Sequence, residues 1–223
     1  MGGWGKIAVC ARSASGGDPL FLVSWTRLIT KGLRRADVAL DPVVELPHHY
    51  AANCVTDHFL NETKCDSLLW LDDDMIFDKD LLEKLRTDSR TFKYDICGAM
   101  YISGCPPHLP LVIVDDPESV KGTSFVAKPP ENTVMDVAVV GLGFTLMRRE
   151  MLASMRHNKP KGTILFHWGL NGDSEDACFC QDAIKAGYKI GCHTGLVAHH
   201  RRKLALSWNG QGLEIKMRNV GPQ

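Results

Sequence analysis

Ser67-Leu68-Leu69-Trp70-Leu71-Asp72-Asp73-Asp74-Met75 is the stretch on which the fold turns. Its apolar part is unbroken, as in a strand from the middle of a parallel sheet, where helices cover both faces. The run then delivers three consecutive carboxylates to its C-terminal end, which is where open α/β sheets place their ligands. Neighbouring carboxylates repel one another unless a cation compensates them. Alternation along an extended chain sends Asp72 and Asp74 to one side and Asp73 to the other. One pair can then serve a hard divalent cation, Mn2+ or Mg2+, that prefers oxygen ligands. The plainer alternative is an acidic turn capping the next helix. Asp78, just ahead of Leu81, Leu82 and Leu85, is better placed for that task.

Working outward, residues 6–11 read as a buried strand that ends in the polar Arg12-Ser13-Ala14-Ser15-Gly16-Gly17. Pro19 opens a helix with Leu20, Val23, Leu28 and Ile29 at helical spacing. Val38 to Leu46 is a second strand broken by Pro42, as at an edge or bend. His49 to Lys64 is helical, with Ala52, Val55, Phe59 and Leu60 facing inward. Strand and helix thus alternate over the first ninety residues, which predicts an α/β layered domain. Short strands with Pro- and Gly-rich turns follow: 94–101, 111–114, 124–126, 135–140 and 144–147. The polar stretch from His157 to Asp173 is long enough for a functional loop or lid. A helix from Glu175 to Ala186 closes at Gly187, and short strands at 189–192 and 196–198 precede an irregular tail.

Composition narrows the class of protein. The 223 residues suffice for one core without staples, and Lys plus Arg balance Asp plus Glu at 26 each, so no global field points to nucleic acid or an anionic membrane. Locally, acid dominates from Asp66 to Asp88. Arg148, Arg149, Arg156, Lys159, Lys161, Arg201, Arg202, Lys203, Lys216 and Arg218 make the later part basic, which suits either a solvated face or a phosphorylated ligand. No run approaches the roughly 20 apolar residues of a membrane span, and no signal peptide opens the chain. Eight cysteines, mostly within apolar runs and without paired zinc spacing, fit a reduced, cytoplasmic protein.

Two more clusters could carry chemistry. Gly172-Asp173-Ser174-Glu175-Asp176 opens a helix, where carboxylates suit the helix dipole but where one could also act as general base on an acceptor hydroxyl. His199-His200, followed by Arg201-Arg202-Lys203, could complete a metal shell and screen a diphosphate; His48-His49 and His193 rank lower. Gly141-Leu142-Gly143-Phe144 is half a dinucleotide fingerprint with no helix after it, so its glycines are expected to let backbone approach a ligand.

Together these pieces resemble the GT-A fold glycosyltransferases, in particular small family 2-like enzymes of bacteria and phages. Leu68 to Met75 looks like the DxD motif with its strand. Asp136 to Phe144 looks like the central strand and turn beside the sugar, and Ser174 to Cys180 looks like the helix that carries the catalytic base. The resemblance spans Lys6 to about His200. It implies one domain over 1–223, with a nucleotide-binding half (1–90), an acceptor half (91–200) and a tail (201–223). The implied fold is a three-layer α/β/α sandwich on a mixed, mostly parallel sheet. The implied activity is metal-dependent, inverting transfer from a nucleotide-sugar, a UDP-sugar, to an acceptor saccharide or a hydroxylated DNA base. Asp74 and Asp72 would bind the metal, with His200 or His199 as a further ligand. Asp176 would be the base, with Glu175 beside it. Arg12, Ser13, Asn53, Asp72, Asp73 and Gly143 would line the donor, and Trp168 would stack on a sugar or base. Ala52 stands where relatives carry arginine before Asn53, and Ser174 stands where they carry glycine. A sugar-1-phosphate nucleotidyltransferase and a non-catalytic nucleotide-sugar-binding module are the rival readings.

Overall fold

Strand β1 (Ile7–Ser13) is buried along its whole length, because its side chains alternate between two cores. Ile7, Val9 and Ala11 face one core, whereas Ala8 and Cys10 face the other. The same alternation sorts β4 (Ser67–Asp72), with Leu68 and Trp70 on one side and Leu69 and Leu71 on the other. The computed structural model describes residues 3–13, 18–104, 107–159, 163–170, 172–201, 204–208 and 213–217. Between β1 and β4 lie α1 (Pro19–Arg27), which runs on through a π turn (Leu28–Gly32), β2 (Val38–Ala39), β3 (Val43–Val44) and α2 (His48–Glu62). After β4 come β5 (Met75–Ile76), α3 (Leu81–Thr87), β6 (Ile96–Met100), β7 (Val112–Asp115), β8 (Thr123–Phe125), β9 (Val134–Asp136), β10 (Val139–Val140) and β11 (Phe144–Arg148). The chain continues through α4 (Arg149–Asn158), α5 (Glu175–Lys185), β12 (Ile190–Val197), β13 (His199–His200), β14 (Leu204–Trp208) and β15 (Leu213–Met217).

Eight strands form one mixed sheet in the order β2-β1-β4-β11-β6-β12-β9, with β3 also pairing β1. Pairs β1–β2, β1–β3, β1–β4 and β6–β12 are parallel; β11 inserts antiparallel between β4 and β6. Apolar faces of α2, α4 and α5 fill one side of the sheet, through Val55, Phe59, Leu152, Met155, Phe179 and Ala183. The other side is filled from α1 and α3 by Phe21, Leu81, Leu82 and Leu85. The result is the expected three-layer α/β/α architecture on a mixed, mostly parallel sheet. Pro42 splits the second strand as anticipated: β2 and β3 pair in parallel with successive parts of β1.

Several expectations change. In α1 the inward residues are Phe21, Ser24 and Leu28, whereas Leu20, Val23 and Ile29 are exposed. Asp18 accepts a hydrogen bond from Leu20 N at 2.9 Å and so sets where the helix begins. Asp78 does not cap α3 with its side chain; only its carbonyl serves Leu81 N, at 3.0 Å. Helix α4 was not foreseen, although Met151, Leu152 and Met155 lie on its buried side at helical spacing. The tail is not irregular, since β14 and β15 pair as an antiparallel hairpin.

Much of the later basic charge is spent inside the fold. Arg149 closes the end of α2, donating to the carbonyls of Phe59, Leu60, Thr63 and Cys65. Arg148 donates to the carbonyls of Tyr94 and Phe92, Arg156 pairs with Asp57 and Lys159 with Asp182. These four therefore do not form a phosphate-binding face. Lys161, Arg202, Lys203 and Arg218, the loop residues Ala14 to Gly17 and Cys105 lie outside the described residues, as does the side chain of Lys216. Of the other cysteines, all but Cys54 are buried, and all are free thiols.

Candidate donor and catalytic site

Parallel β1 and β4 are in register with Arg12 opposite Asp72, so their carboxyl ends place a cation beside the first acid of the triple aspartate. Arg12 Nη2 lies 2.8 Å from Asp72 Oδ1, and Nη1 lies 3.3 Å from Glu175 Oε1 at the start of α5. The guanidinium is 5.7 Å from the Trp70 ring centre, and Trp70 Nε1 donates to Asp72 Oδ1 at 3.0 Å. Burial opposes charge on Arg12, but Asp72, Asp176 and Glu175 outweigh it and keep the guanidinium ionised. Burial, helped by the nearby Asp74, raises the Asp72 carboxyl against the pull of Arg12 and the Trp70 N–H.

The three aspartates separate, though not by simple alternation, because β4 ends at Asp72 and Asp73-Asp74 form the turn into β5. Asp73 Oδ2 accepts from Ser13 Oγ at 2.7 Å, and its carbonyl accepts from Asp18 N at 3.2 Å. Asp74 Oδ2 meets His200 Nε2 at 2.9 Å, brought there by the antiparallel β5–β13 pair. Arg201 N donates to the Asp74 carbonyl at 2.8 Å. Its side chain pairs with Asp18. His199 pairs with Ile76 through backbone and is exposed, so the fold brings His200 and not His199 to the aspartates.

His200 Nδ1 lies 3.0 Å from the Ile102 carbonyl, an acceptor only, so Nδ1 carries the hydrogen. In the neutral ring Nε2 then turns a lone pair toward a carboxylate oxygen. Both atoms are ligand types for a divalent cation, and a carbonyl that orients the imidazole is a common support for a metal-ligating histidine. The donor set of Asp74 and His200 therefore fits a divalent ion. Asp72 does not join it: among the described residues no group of three or more His, Cys, Asp or Glu side chains is arranged to hold a metal. The expected shell of Asp72, Asp74 and histidine is thus corrected to a pair, because Arg12 and Trp70 already occupy Asp72.

At the start of α5 the two adjacent acids diverge. Ser174 caps the helix, accepting from Ala177 N at 3.4 Å. Burial would raise the Glu175 carboxyl, but the His48 imidazole, the helix-start N–H and Arg12 overcome it and hold it below the usual range. His48 Nδ1 lies 3.6 Å from Glu175 Oε1. Asp176 is pushed up to about 7 by burial and by the charges of Glu175 and Asp72, against Arg12 and a 3.3 Å hydrogen bond from Leu142 N. Such opposed shifts on neighbouring acids are a pattern of functional sites.

Other expected positions have internal partners. Asn53 is buried and clamps the 165–166 segment: its Nδ2 donates to the His49 and Phe166 carbonyls, and Oδ1 accepts from Leu165 N and Phe166 N. Its four contacts leave it no face for a nucleotide. Gly141 and Gly143 make room for Tyr101, not for a ligand: a Cβ on Gly141 would stand 2.0 Å from the Tyr101 hydroxyl, and Gly143 N donates to that hydroxyl at 3.1 Å. Tyr101, absent from the sequence-derived set, is buried, contacts the His200 ring edge-on at 5.5 Å, and has its ionisation suppressed by burial and by Asp176 and Asp72. Only its place at the end of a strand hinted at this. Trp168 is 50% exposed, so it is no core residue, and its Nε1 donates to His49 Nδ1 at 3.2 Å. His193 is buried against Asp88.

No protein-family model matches the chain, and no curated protein matches it in sequence. Solved structures do share its fold. The STIV protein A197 is 20% identical over 97% of this chain and 96% of that one, with a TM-score of 0.54. A crystal structure of GalNAc-T7 with UDP, GalNAc and Mn2+ aligns over 88% of this chain at 11% identity, with a TM-score of 0.53. There the chain spans 44% of its counterpart. At these identities the likeness is one of fold, a glycosyltransferase-like α/β architecture.

Proposed function

We propose that the chain is a metal-dependent glycosyltransferase of GT-A type that moves a sugar from a UDP-sugar to a hydroxyl acceptor with inversion. One observation carries the reading. Far apart in sequence, Asp72 of the triple aspartate and Glu175 at the acidic start of α5 meet on one arginine, Arg12, and the late His200 meets Asp74 of the same aspartates. The UDP and Mn2+ bound to the GalNAc-T7 neighbour support the choice of donor and ion.

In this reading residues 1–90 bind the nucleotide, residues 91–200 the acceptor, and 1–223 form one domain. Asp74 and His200 hold the Mn2+ or Mg2+, which when bound neutralises the departing diphosphate. Ser13 and Asp73 border the donor site, and Arg12 with Asp72 sets the charge at its floor. Asp176 takes the acceptor proton, for which a carboxyl raised toward neutrality is suited. Glu175, tied to Arg12 and His48, keeps the start of α5 in place. Trp168 is exposed and free to cover a sugar or a base. The acceptor is a saccharide or a hydroxylated DNA base.

Thermal unfolding with UDP-sugars and manganese tests the proposal. A donor should raise the midpoint only when metal is present, and Asp74→Ala should abolish the rise. An unchanged rise in that variant would remove Asp74 from the donor site.

A further inference from the structure

Helix α1 and its π turn carry an outer face that the fold leaves uncovered. Phe21, Ser24 and Leu28 turn inward, while Leu20, Leu22, Val23 and Ile29 are 46%, 47%, 43% and 37% exposed. Single exposed apolar residues are ordinary, but four within ten residues of one helical segment form a patch. Within the segment itself the charge has one sign. From Pro19 to Ala36 the sequence contains Arg27, Lys31, Arg34 and Arg35 and no acidic residue. Arg34 is paired with Glu83, but Arg27, Lys31 and Arg35 are exposed and form no ion pair among the described residues. Apolar side chains flanked by unpaired cations on an exposed helix are the composition of a segment that lies in a lipid interface. Asp18, the cap of α1, bonds through its backbone to Asp73 and through its carboxylate to Arg201, so the patch starts at the rim of the candidate site.

We propose that the outer face of α1 docks the protein on an anionic lipid bilayer. The inserted groups are Leu20, Leu22, Val23 and Ile29, and Arg27, Lys31 and Arg35 meet the lipid phosphates. This docking stands independently of the transferase reading, although it would bring a lipid-borne acceptor to the site.

The test is sedimentation of the full chain with phosphatidylcholine vesicles, with and without about a third phosphatidylglycerol. The expected result is pelleting with the anionic vesicles that weakens as salt is raised, and at least about tenfold weaker binding to the neutral ones. Leu22→Glu with Ile29→Glu, and separately Arg27→Glu with Lys31→Glu, should each lower anionic binding at least about tenfold. All four side chains are exposed, so the melting curves should stay as in the unaltered chain; the salt dependence of the unaltered chain tests the idea even if a variant misfolds. No pelleting, equal pelleting with neutral vesicles, or variants that bind like the parent would overturn the proposal. So would a lipid-free dimer, seen by sedimentation velocity, that Leu22→Glu with Ile29→Glu dissolves, since a second copy would then own the face.

Discussion

Two of the aspartate–histidine pairs among the described residues are of nearly equal length, and they are built in opposite senses. In Asp88–His193 the distance is 3.0 Å, and Gly195 N donates to His193 Nδ1 at 3.2 Å, so Nε2 bears the hydrogen and gives it to the carboxylate. The ring is 2% exposed, and Arg90 also pairs with Asp88. In Asp74–His200 the distance is 2.9 Å, but the Ile102 carbonyl takes the Nδ1 hydrogen, so in the neutral ring a lone pair faces the carboxylate. The first pair is complete as a hydrogen bond, whereas the second presents an imidazole nitrogen and a carboxylate oxygen, both ligand types for a divalent cation. What sets the two pairs apart is therefore the partner of the remote ring nitrogen, not the contact itself.

The largest expected effect tests the chemistry beside the second pair. Asp176→Asn should lower transfer by about a thousandfold or more, while the metal-dependent thermal shift with donor persists; retained turnover would place the base elsewhere. Next, His200→Ala and Asp74→Ala should each cost about a hundredfold or more in turnover with little loss of stability. His193→Ala should do the reverse, destabilising by about 2 kcal/mol in denaturant unfolding and leaving the folded fraction active. If both histidines behaved alike, the contrast drawn from their ring nitrogens would fail.

pH should separate the regions too. Asp176 must be ionised to accept a proton and its carboxyl is pushed up to about 7, so turnover should climb as pH rises through that value. The same group favours the folded state when protonated, so its own contribution to stability falls as pH rises from about 4 toward 7. Asp88 has the opposite sign. Arg90 first, then the Arg90 backbone N–H and His193, hold its carboxyl far below the usual range despite burial. Its contribution is present above pH about 4 and is lost as pH falls below that. A turnover profile flat between pH about 5 and 8 would contradict the role given to Asp176. The smallest effect is expected for Trp168→Ala, a several-fold rise in the KM of donor or acceptor with kcat nearly kept, since one exposed ring supplies only binding contact.

Much of this was readable in the chain itself. An unbroken apolar run ending in acids marks a covered strand that delivers carboxylates to the carboxyl end of the sheet, and Ser174 before two acids marks the start of a helix. Patterning failed where the evidence was weak or shared. Helix α4 was passed over because its flanks merge with a polar loop. The inward face of α1 was misassigned because apolar residues occur all round it. Nothing local to Arg12 shows that residues 60 and 163 positions away claim its guanidinium. Asn53 likewise finds its partners 112 and 113 positions away. The glycines at 141 and 143 signalled close approach correctly, but the approaching group was Tyr101.

The sequence by itself determined the alternation of buried strands and amphipathic helices, the three-layer sandwich that follows from it, and the two acidic stretches at element ends. These depend on period and local bonding, which act between near neighbours. Tertiary structure decided the rest: which aspartate meets arginine, which meets serine and which meets histidine, and which of two histidines turns inward. Those choices depend on the register of β1 with β4 and of β5 with β13, and register is set by packing across the whole sheet.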